Sequence, residues 1–255
     1  MMKYSWKSKY TFISCIFFMI IWEYVAIKIN NDIYLPKIEC ILKETFKLIR
    51  SRNFYMYISS SFIRTIVSYI CALILAVILG ILASVYPFFR YFINPLNSFI
   101  RTIPTLVLVV LALVWFDKDK APFVVGFAII FPILYEGIRN CLSKIDNKIL
   151  EMADIYEISM YDKLKNIFIP TIKFHIINIF VSTLSLTFKV VIAGEVHGQP
   201  KYGIGSQIQM EKINFNTTGI FAWIIIIVLI SFIFEFMNIK LNKLTYGWWL
   251  NEDND

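Results

Sequence analysis

Hydrophobic residues occupy long runs along this chain, and short polar segments separate the runs. A helix needs about 20 apolar residues to cross the hydrocarbon core of a bilayer. The runs that reach or approach this length are residues 11–28, 62–86, 94–115, 121–138, 174–194 and 218–238. The pattern therefore predicts an all-α membrane protein with about six transmembrane helices.

Two of these predicted spans contain a proline away from their ends, Pro104 in the third and Pro132 in the fourth. Proline is tolerated inside a span when neighbouring helices or water satisfy the carbonyl group that it leaves free. The simplest expectation for both residues is a packing kink.

The segment between the first two spans has a different pattern. Its apolar and small residues fall on one helical face, namely Ile38, Ile41, Leu42, Thr45, Phe46 and Ile49. This periodicity predicts an amphipathic helix at the membrane interface. The predicted organisation is a transmembrane helix plus an external amphipathic helix over 1–60, a core transmembrane domain over 61–240 and a cytoplasmic tail over 241–255.

Composition supports the membrane assignment, because 58% of the residues are hydrophobic and only 17% are charged. Soluble domains contain about 45–50% apolar residues. The net charge of +7 does not indicate nucleic-acid binding, since Lys and Arg are spread between the apolar runs. Four cysteines without a C-x-x-C pair, and two distant histidines, predict neither a metal site nor a catalytic centre.

The N-terminus resembles a secretory signal, since Lys3, Lys7 and Lys9 precede an apolar run. No small-residue cleavage site follows this run, and further spans come later. We therefore expect a retained first helix.

A polar stretch, EMADIYEISMYDKLKNIFIP, interrupts the apolar pattern at Glu151–Pro170. The segment ILEMADIYEI, residues 149–158, predicts one short helix. Ser159 and Asp162 have the spacing of a capping box that opens a second helix, which we expect to end at Pro170. Leu164, Ile167 and Phe168 share one side of that helix. An amphipathic pair of short helices at the membrane face is suited to a groove on a partner protein.

This stretch resembles the "EAA" loop of ATP-binding-cassette (ABC) importer permeases, in which a short helix fits a cleft on each ATPase subunit. Glu151, Ala153 and Pro170 match the loop pattern, and Glu157 stands where the family usually has glycine. Glycine adopts a positive φ at low cost and glutamate does not, so we expect a shifted turn that Ser159 caps. The resemblance implies ATPase coupling through Glu151, Ala153, Asp154, Glu157, Ser159 and Pro170.

Further matches cover nearly the whole chain in the same order. SFIRTIV at Ser61–Val67 resembles the S-x-x-R opening of the first core span, and FIRTIPTLVLVVLALVWF resembles the R-x-x-P span of the nitrate/sulfonate/taurine subfamily. AGEVHGQPKYGIGSQI resembles that subfamily's stretch after the fifth span. The residues that we assign on this basis to a translocation path or gate are Arg101, Pro104, Lys189, Glu195, Gly203 and Gly205.

The resemblance implies a permease subunit in the bacterial cytoplasmic membrane that forms a homodimer around the substrate path. Two ATPase copies would dock on the inner side, and an extracytoplasmic binding protein would deliver the substrate. Both termini are expected in the cytoplasm. Lys and Arg are divided almost evenly between the two sides of the membrane, so the positive-inside rule favours this orientation only slightly. The chain has no phosphate-binding GxxxxGK[ST], so we expect it to bind no cofactor, with ATP and Mg on the partner ATPase. The substrate would be a small solute, either an anion such as a sulfonate, nitrate or taurine, or a vitamin precursor.

Ionisable residues inside or beside predicted spans are Glu23, Arg64, Arg101, Glu136, Lys189, Glu195 and Glu235. For most of them we expect a position near a span end, where long side chains reach the interface. Lys189 lies deeper, and at about 100° per residue it is about 120° around the helix from Glu195, so these two are not expected to pair. We predict that Lys189 faces the path and offers positive charge to an anionic substrate.

Three other functional classes of membrane protein stay open at this point. A secondary transporter or channel working alone would be expected to have inverted repeats and paired broken helices, and neither is visible in the sequence. A membrane enzyme would need a cluster of acid–base residues. The coupling subunit of energy-coupling-factor vitamin importers also docks ATPases, but its paired Ala-Arg-Gly signatures are missing here.

Overall fold

The structure, a computed structural model, describes residues 2–246, except for some side chains near both ends of this range. This part of the chain is helical and contains no strand. The helices are α1 (Met2–Ile29), α2 (Ile38–Ile49), α3 (Phe54–Val85), α4 (Pro87–Thr102), α5 (Thr105–Trp115), α6 (Ala121–Leu142), α7 (Asn147–Ile155), α8 (Met160–Lys163), α9 (Ile169–Gly198), α10 (Ile204–Ile213) and α11 (Thr217–Tyr246). A π-helical turn, Leu164–Phe168, joins α8 to α9.

Four of the described helical stretches are long and apolar enough to cross a membrane: Phe54–Val85, Ala121–Leu142, Met160–Gly198 and Thr217–Met237. They contain or overlap the predicted second, fourth, fifth and sixth spans, and the all-α membrane class is confirmed. The predicted first span lies within α1. Several of its side chains are outside the described residues, so its capacity to span stays a prediction.

The third predicted span, 94–115, is not one continuous helix. It is divided between α4 and α5, which meet at an angle of 102°. The break follows from Pro104, because a residue before proline is driven out of the helical region. Ile103 accordingly has an extended backbone with ψ 124°. The expected packing kink at Pro104 is therefore wrong, and the pair is either a broken span or a re-entrant segment.

The chain forms two compact units, each made of separate stretches of the sequence. One unit contains the described residues up to Tyr55 together with Gln207–Leu229, and the other contains Met56–Ser206 together with the described residues from Ile230 to Tyr246. The predicted boundary between 60 and 61 lies within α3, and the one between 240 and 241 lies within α11. Residues 247–255 of the predicted tail lie outside the described residues.

In the smaller unit, the end of α1 holds the start of the predicted amphipathic helix, α2. The Glu23 carboxylate accepts a hydrogen bond from the Ile38 backbone N–H at 3.0 Å, which caps α2 from another helix. The Trp22 indole donates to the Pro36 carbonyl at 3.1 Å. Helix α2 buries Ile41 and Thr45, while Leu42 and Phe46 are exposed.

The core of the larger unit lies between α5, α6 and α9. Val109 and Ala112 of α5 pack with Ala121 and Val125 of α6 and with Val190 of α9. The small alanine side chains let the helix backbones approach closely, as is usual in membrane bundles. This packing brings together the loops at one end of the unit, where the first candidate site lies.

Candidate functional site

Glu195, near the end of α9, is fully buried, with 0% of its surface exposed. Its Oε2 atom accepts hydrogen bonds from the Ser61 hydroxyl at 2.7 Å and from the Gly205 backbone N–H at 3.0 Å. Its Oε1 atom accepts one from Arg64 Nη1 at 2.9 Å. Both oxygens thus have partners, as a buried carboxylate requires. We call Ser61, Arg64, Glu195 and Gly205 the carboxylate cluster.

Arg64 joins this cluster to two loops. Its Nη1 atom also donates to the Tyr202 carbonyl at 2.7 Å, and its Nε atom donates to the Asp119 carbonyl at 3.2 Å. The Asp119 carboxylate lies 3.6 Å from Arg64 Nη2 and accepts from the Lys201 backbone N–H at 3.1 Å. One guanidinium group, whose fork of N–H donors is rigid, therefore ties the 117–120 and 199–203 loops to α3.

The S-x-x-R spacing explains why Ser61 and Arg64 act together. Residues three apart lie on the same face of a helix, so both side chains leave α3 toward Glu195. Ser61 also accepts a hydrogen bond from the Ile204 backbone N–H at 2.9 Å. The backbone N–H groups in the first turn of α10 thus donate to a hydroxyl and to a carboxylate. A negative group is favourable at this position, because the N-terminal end of a helix carries partial positive charge.

Gly203 and Gly205 are required by this close packing rather than by a turn. A Cβ atom on Gly205 would lie 2.4 Å from the Ile192 carbonyl oxygen and 2.6 Å from the Glu195 Cβ. A Cβ atom on Gly203 would lie 2.7 Å from the Glu195 carboxyl carbon. Three of the residues assigned to a path or gate, Glu195, Gly203 and Gly205, therefore lie together in one buried cluster.

Four of the ionisable residues in or beside the spans form ion pairs with one another. Arg64 and Glu195 pair with each other, and Arg101 pairs with Glu136. Neither pair is apparent from the sequence, because the partners lie on different helices and far apart along the chain.

Arg101 and Lys189 are in different situations. Arg101 is in the last turn of α4, beside the break at Pro104, and its ion pair with Glu136 is partly exposed. Lys189 is exposed on α9 and forms no ion pair with any residue that the structure describes.

The second candidate site is the 147–170 segment. Its first helix, α7, begins after Asp146, whose side chain accepts from the Lys148 backbone N–H at 2.9 Å. Ala153 is fully buried, whereas Glu151 and Asp154 are exposed. The predicted short helix is confirmed, and it turns its carboxylates outward.

The turn after α7 corrects the expectation for Glu157. Glu157 has φ 52°, in the left-handed region, so the turn keeps a conformation that glycine adopts most easily. The Ile158 N–H donates back to the Ala153 carbonyl at 2.9 Å, as at a regular helix end. The turn is not shifted to compensate for glutamate; Glu157 itself takes the unfavourable conformation.

Ser159 caps α8 as predicted, because its hydroxyl oxygen accepts from the Asp162 backbone N–H at 3.2 Å. The second helix does not end at Pro170, however. It continues through the π-helical turn into α9, giving one stretch over Met160–Gly198. Proline lacks an N–H and its ring crowds the carbonyl four residues earlier. The wider π turn just before Pro170 removes that conflict.

The 147–170 segment presents large apolar side chains outward. Met152, Ile155, Tyr156 and Tyr161 are 50%, 79%, 74% and 71% exposed. An ion pair between Lys163 and Asp154 links α8 to α7. Such a patch on a short, braced helix pair is typical of a protein-binding surface.

Comparison with known families gives a match over residues 70–244 to the binding-protein-dependent transport system inner membrane component. The chain belongs to this family. It is a permease subunit of ABC importers, a transport component and not an enzyme, and it is a multi-pass protein of the inner membrane. Membership implies ATPase partners and a substrate-binding protein.

Two relatives are similar to this permease over most of its length. One, named as an aliphatic sulfonates transport permease, SsuC, of Bacillus subtilis (strain 168), is 22% identical over 83% of this chain and 77% of its own. The other, named as an ABC transporter permease of Methanocaldococcus jannaschii, is 25% identical over 85% of this chain and 83% of its own. The first relative supports the sulfonate-type subfamily.

A solved structure shares the fold of this permease. A chain of the MetNI methionine ABC transporter, in an inward-facing conformation, superposes with a TM-score of 0.53. The match covers 82% of this permease and 97% of that chain, at 14% identity.

Proposed function

We propose that two copies of this permease form the translocation path of an ABC importer and couple it to two ATPase subunits through the 147–170 segment. The observation that carries the coupling role is the form of that segment. Helix α7 buries Ala153 and exposes Glu151, Met152 and Ile155, and its partner α8 is continuous with the long α9. A movement of a docked ATPase would therefore be transmitted directly into a membrane-spanning helix.

ATP and Mg bind to the partner ATPase in this proposal, since the permease sequence lacks a phosphate-binding loop. The 147–170 segment and both termini face the cytoplasm. The opposite end of the larger unit, with the carboxylate cluster, faces the extracytoplasmic binding protein. A secondary transporter working alone would have no use for an exposed, braced helix pair at this position.

Homodimer formation is supported by the exposed apolar surface of the broken helix pair. The large side chains that are exposed along it are Phe88, Tyr91, Phe92, Leu96, Phe99, Leu106, Val107, Val110 and Val114. Part of this surface would face a second copy, and the rest would face lipid.

The substrate in this proposal is a small organic anion, with sulfonates as the first candidates. One support is the similar permease of Bacillus subtilis, which is named for aliphatic sulfonates. The other is Lys189, a membrane-level cation that lacks an ion-pair partner among the described residues. Charges at this depth are costly unless they face water or a ligand, so Lys189 would line the path between the two copies.

The decisive experiment is a detergent pull-down of the tagged permease from its native host, with the co-purifying proteins identified by mass spectrometry. We expect a Walker-motif ATPase to accompany the wild type and to be lost from a Glu151→Arg variant. Asp32→Arg, a charge reversal at an exposed residue before α2, is the matched control and should retain the ATPase. If both variants retain the ATPase equally, coupling does not run through this segment.

A further inference from the structure

A cavity of about 190 Å³ lies where α3 ends, α6 ends and α7 begins. Its polar lining consists of Ser84, Arg90, Arg139, Ser143 and Asn147, and its apolar lining consists of Ala83, Leu142, Ile145, Leu150 and Phe168. No Asp or Glu is among these residues. The charged residues of the lining are therefore two arginines, Arg90 and Arg139.

The two arginines of this cavity lack the partners that other arginines in the same unit have. Arg64 pairs with Glu195, and Arg101 pairs with Glu136. Arg90 and Arg139 form no ion pair with any described residue, although Arg139 donates to the neutral Asn140 side chain at 2.9 Å. Two cations that face one small cavity destabilise each other, and an anion between them would remove this cost.

The hydrogen-bond donors that face the cavity are also mainly these arginines. The Ser84 and Ser143 hydroxyls already donate to carbonyls of their own helices, at 2.8 and 3.0 Å. Each guanidinium offers five N–H groups in a fork that matches the oxygens of a phosphate. Helix α7 begins at Asn147, and the Asp146 carboxylate already caps it, so the arginines remain the main donors to the cavity.

We propose that this cavity binds one tetrahedral oxyanion of the phosphate class, either the phosphate of an anionic phospholipid or free phosphate. The cavity lies at the end of the spanning helix α6, where lipid phosphates lie. A bound oxyanion would fix the start of α7 to the ends of α3 and α6. This site needs no ATPase, and the inference does not depend on the proposed coupling role.

The test uses the full-length permease in detergent. Native mass spectrometry measures retention of phosphatidylglycerol against phosphatidylcholine, and calorimetry measures binding of inorganic phosphate. The variant is Arg90→Gln/Arg139→Gln. The matched control is Arg50→Gln/Arg52→Gln, which removes two exposed charges between α2 and α3, outside the cavity.

We expect the wild type and the control to bind one anion alike, and the cavity variant to bind at least about tenfold more weakly, as the loss of charge-assisted hydrogen bonds predicts. Retention of phosphatidylglycerol alone would identify the lipid as the source, and binding of inorganic phosphate would identify the free ion. If the wild type binds neither anion, or the control loses as much as the cavity variant, the proposal is overturned.

If the double variant does not fold, the single variant Arg90→Gln still tests the proposal. Arg90 is exposed, so Arg90→Gln leaves the packing of the helices unchanged. It should still weaken binding, by about tenfold, whereas Arg139→Lys should weaken it less because the charge remains. Equal affinity of Arg90→Gln and the wild type would contradict the proposal.

Discussion

The Arg64 guanidinium and the Glu195 carboxylate form an ion pair of 2.9 Å between residues 131 positions apart in the sequence. Glu195 is fully buried, and the Arg64 side chain is 16% exposed. The pair fastens α9 to α3 and, through Tyr202 and Asp119, fastens two loops to the same point.

Removing Arg64 should therefore destabilise the permease strongly. Breaking a buried ion pair leaves an uncompensated charge, which costs about 3–5 kcal/mol. We expect Arg64→Met to lower the free energy of unfolding by this amount, measured by denaturation in detergent. Arg52→Met, at an exposed arginine, should have little effect.

The same pair should show strong non-additivity. In an Arg64→Met/Glu195→Gln variant the unpaired charge is gone, so the loss should be well below the sum of the two single losses. Equal losses for Arg64→Met and Arg52→Met, or additive single losses, would contradict the assignment of a buried charge pair.

The two glycines of the cluster should differ in their tolerance of alanine. In Gly205→Ala the new Cβ meets the Ile192 carbonyl oxygen, which is backbone and cannot move alone. In Gly203→Ala it meets the end of the Glu195 side chain, which can adjust. We expect Gly205→Ala to give the larger loss of thermal stability, and the reverse order would show that the packing around α10 is different.

Glu157→Gly should stabilise the turn between α7 and α8. A left-handed conformation costs a non-glycine residue roughly 1–2 kcal/mol, which glycine avoids. Glycine also makes the unfolded chain more flexible, which offsets about 0.4–1 kcal/mol of this gain in stability. A net gain of about 0.5–1 kcal/mol should appear as slower hydrogen exchange across 147–163. Glu151→Gly is the matched control inside α7 and should speed exchange, because glycine costs a helix about 1 kcal/mol. Faster exchange in Glu157→Gly would mean that Glu157 makes a stabilising contact instead.

Lys189→Met tests the proposed role of Lys189 in the path. With an anionic substrate, we expect uptake and substrate-stimulated ATP hydrolysis by the reconstituted complex to fall at least about tenfold, since a charge-assisted interaction is lost. Lys173→Met, at another exposed lysine on α9, should leave both activities unchanged. Intact transport in Lys189→Met would remove Lys189 from the path while leaving the family assignment untouched.

Local features were the most predictable from the sequence. The cap at Ser159 depends on residues three positions apart, and the short helix α7 depends on a periodic pattern over a few turns. The matches at Ser61, Arg64 and Glu195 were visible as motif letters, but their contact was not. Nothing in the spacing of these residues indicated that an arginine of the first core span would hold a glutamate of the fifth.

The expected effect of proline was too small at Pro104 and too large at Pro170. Pro104 was expected to kink a span and instead accompanies a bend of 102°. Pro170 was expected to end a helix and instead lies within a continuous one. A proline removes one hydrogen bond wherever it occurs, but the surrounding packing decides whether the chain breaks or a wider turn absorbs the change.

The sequence by itself determined that this is a helical membrane protein, since the length and apolarity of a span are properties of one segment and the bilayer is its solvent. It also determined the family, because the motifs occur in order along the chain. Only the tertiary structure decided which charges pair, where the chain bends at Pro104 and which arginines face a cavity whose lining has no carboxylate. Those outcomes depend on which helices pack together, and a pairing free energy exists only once distant segments have come within hydrogen-bonding distance.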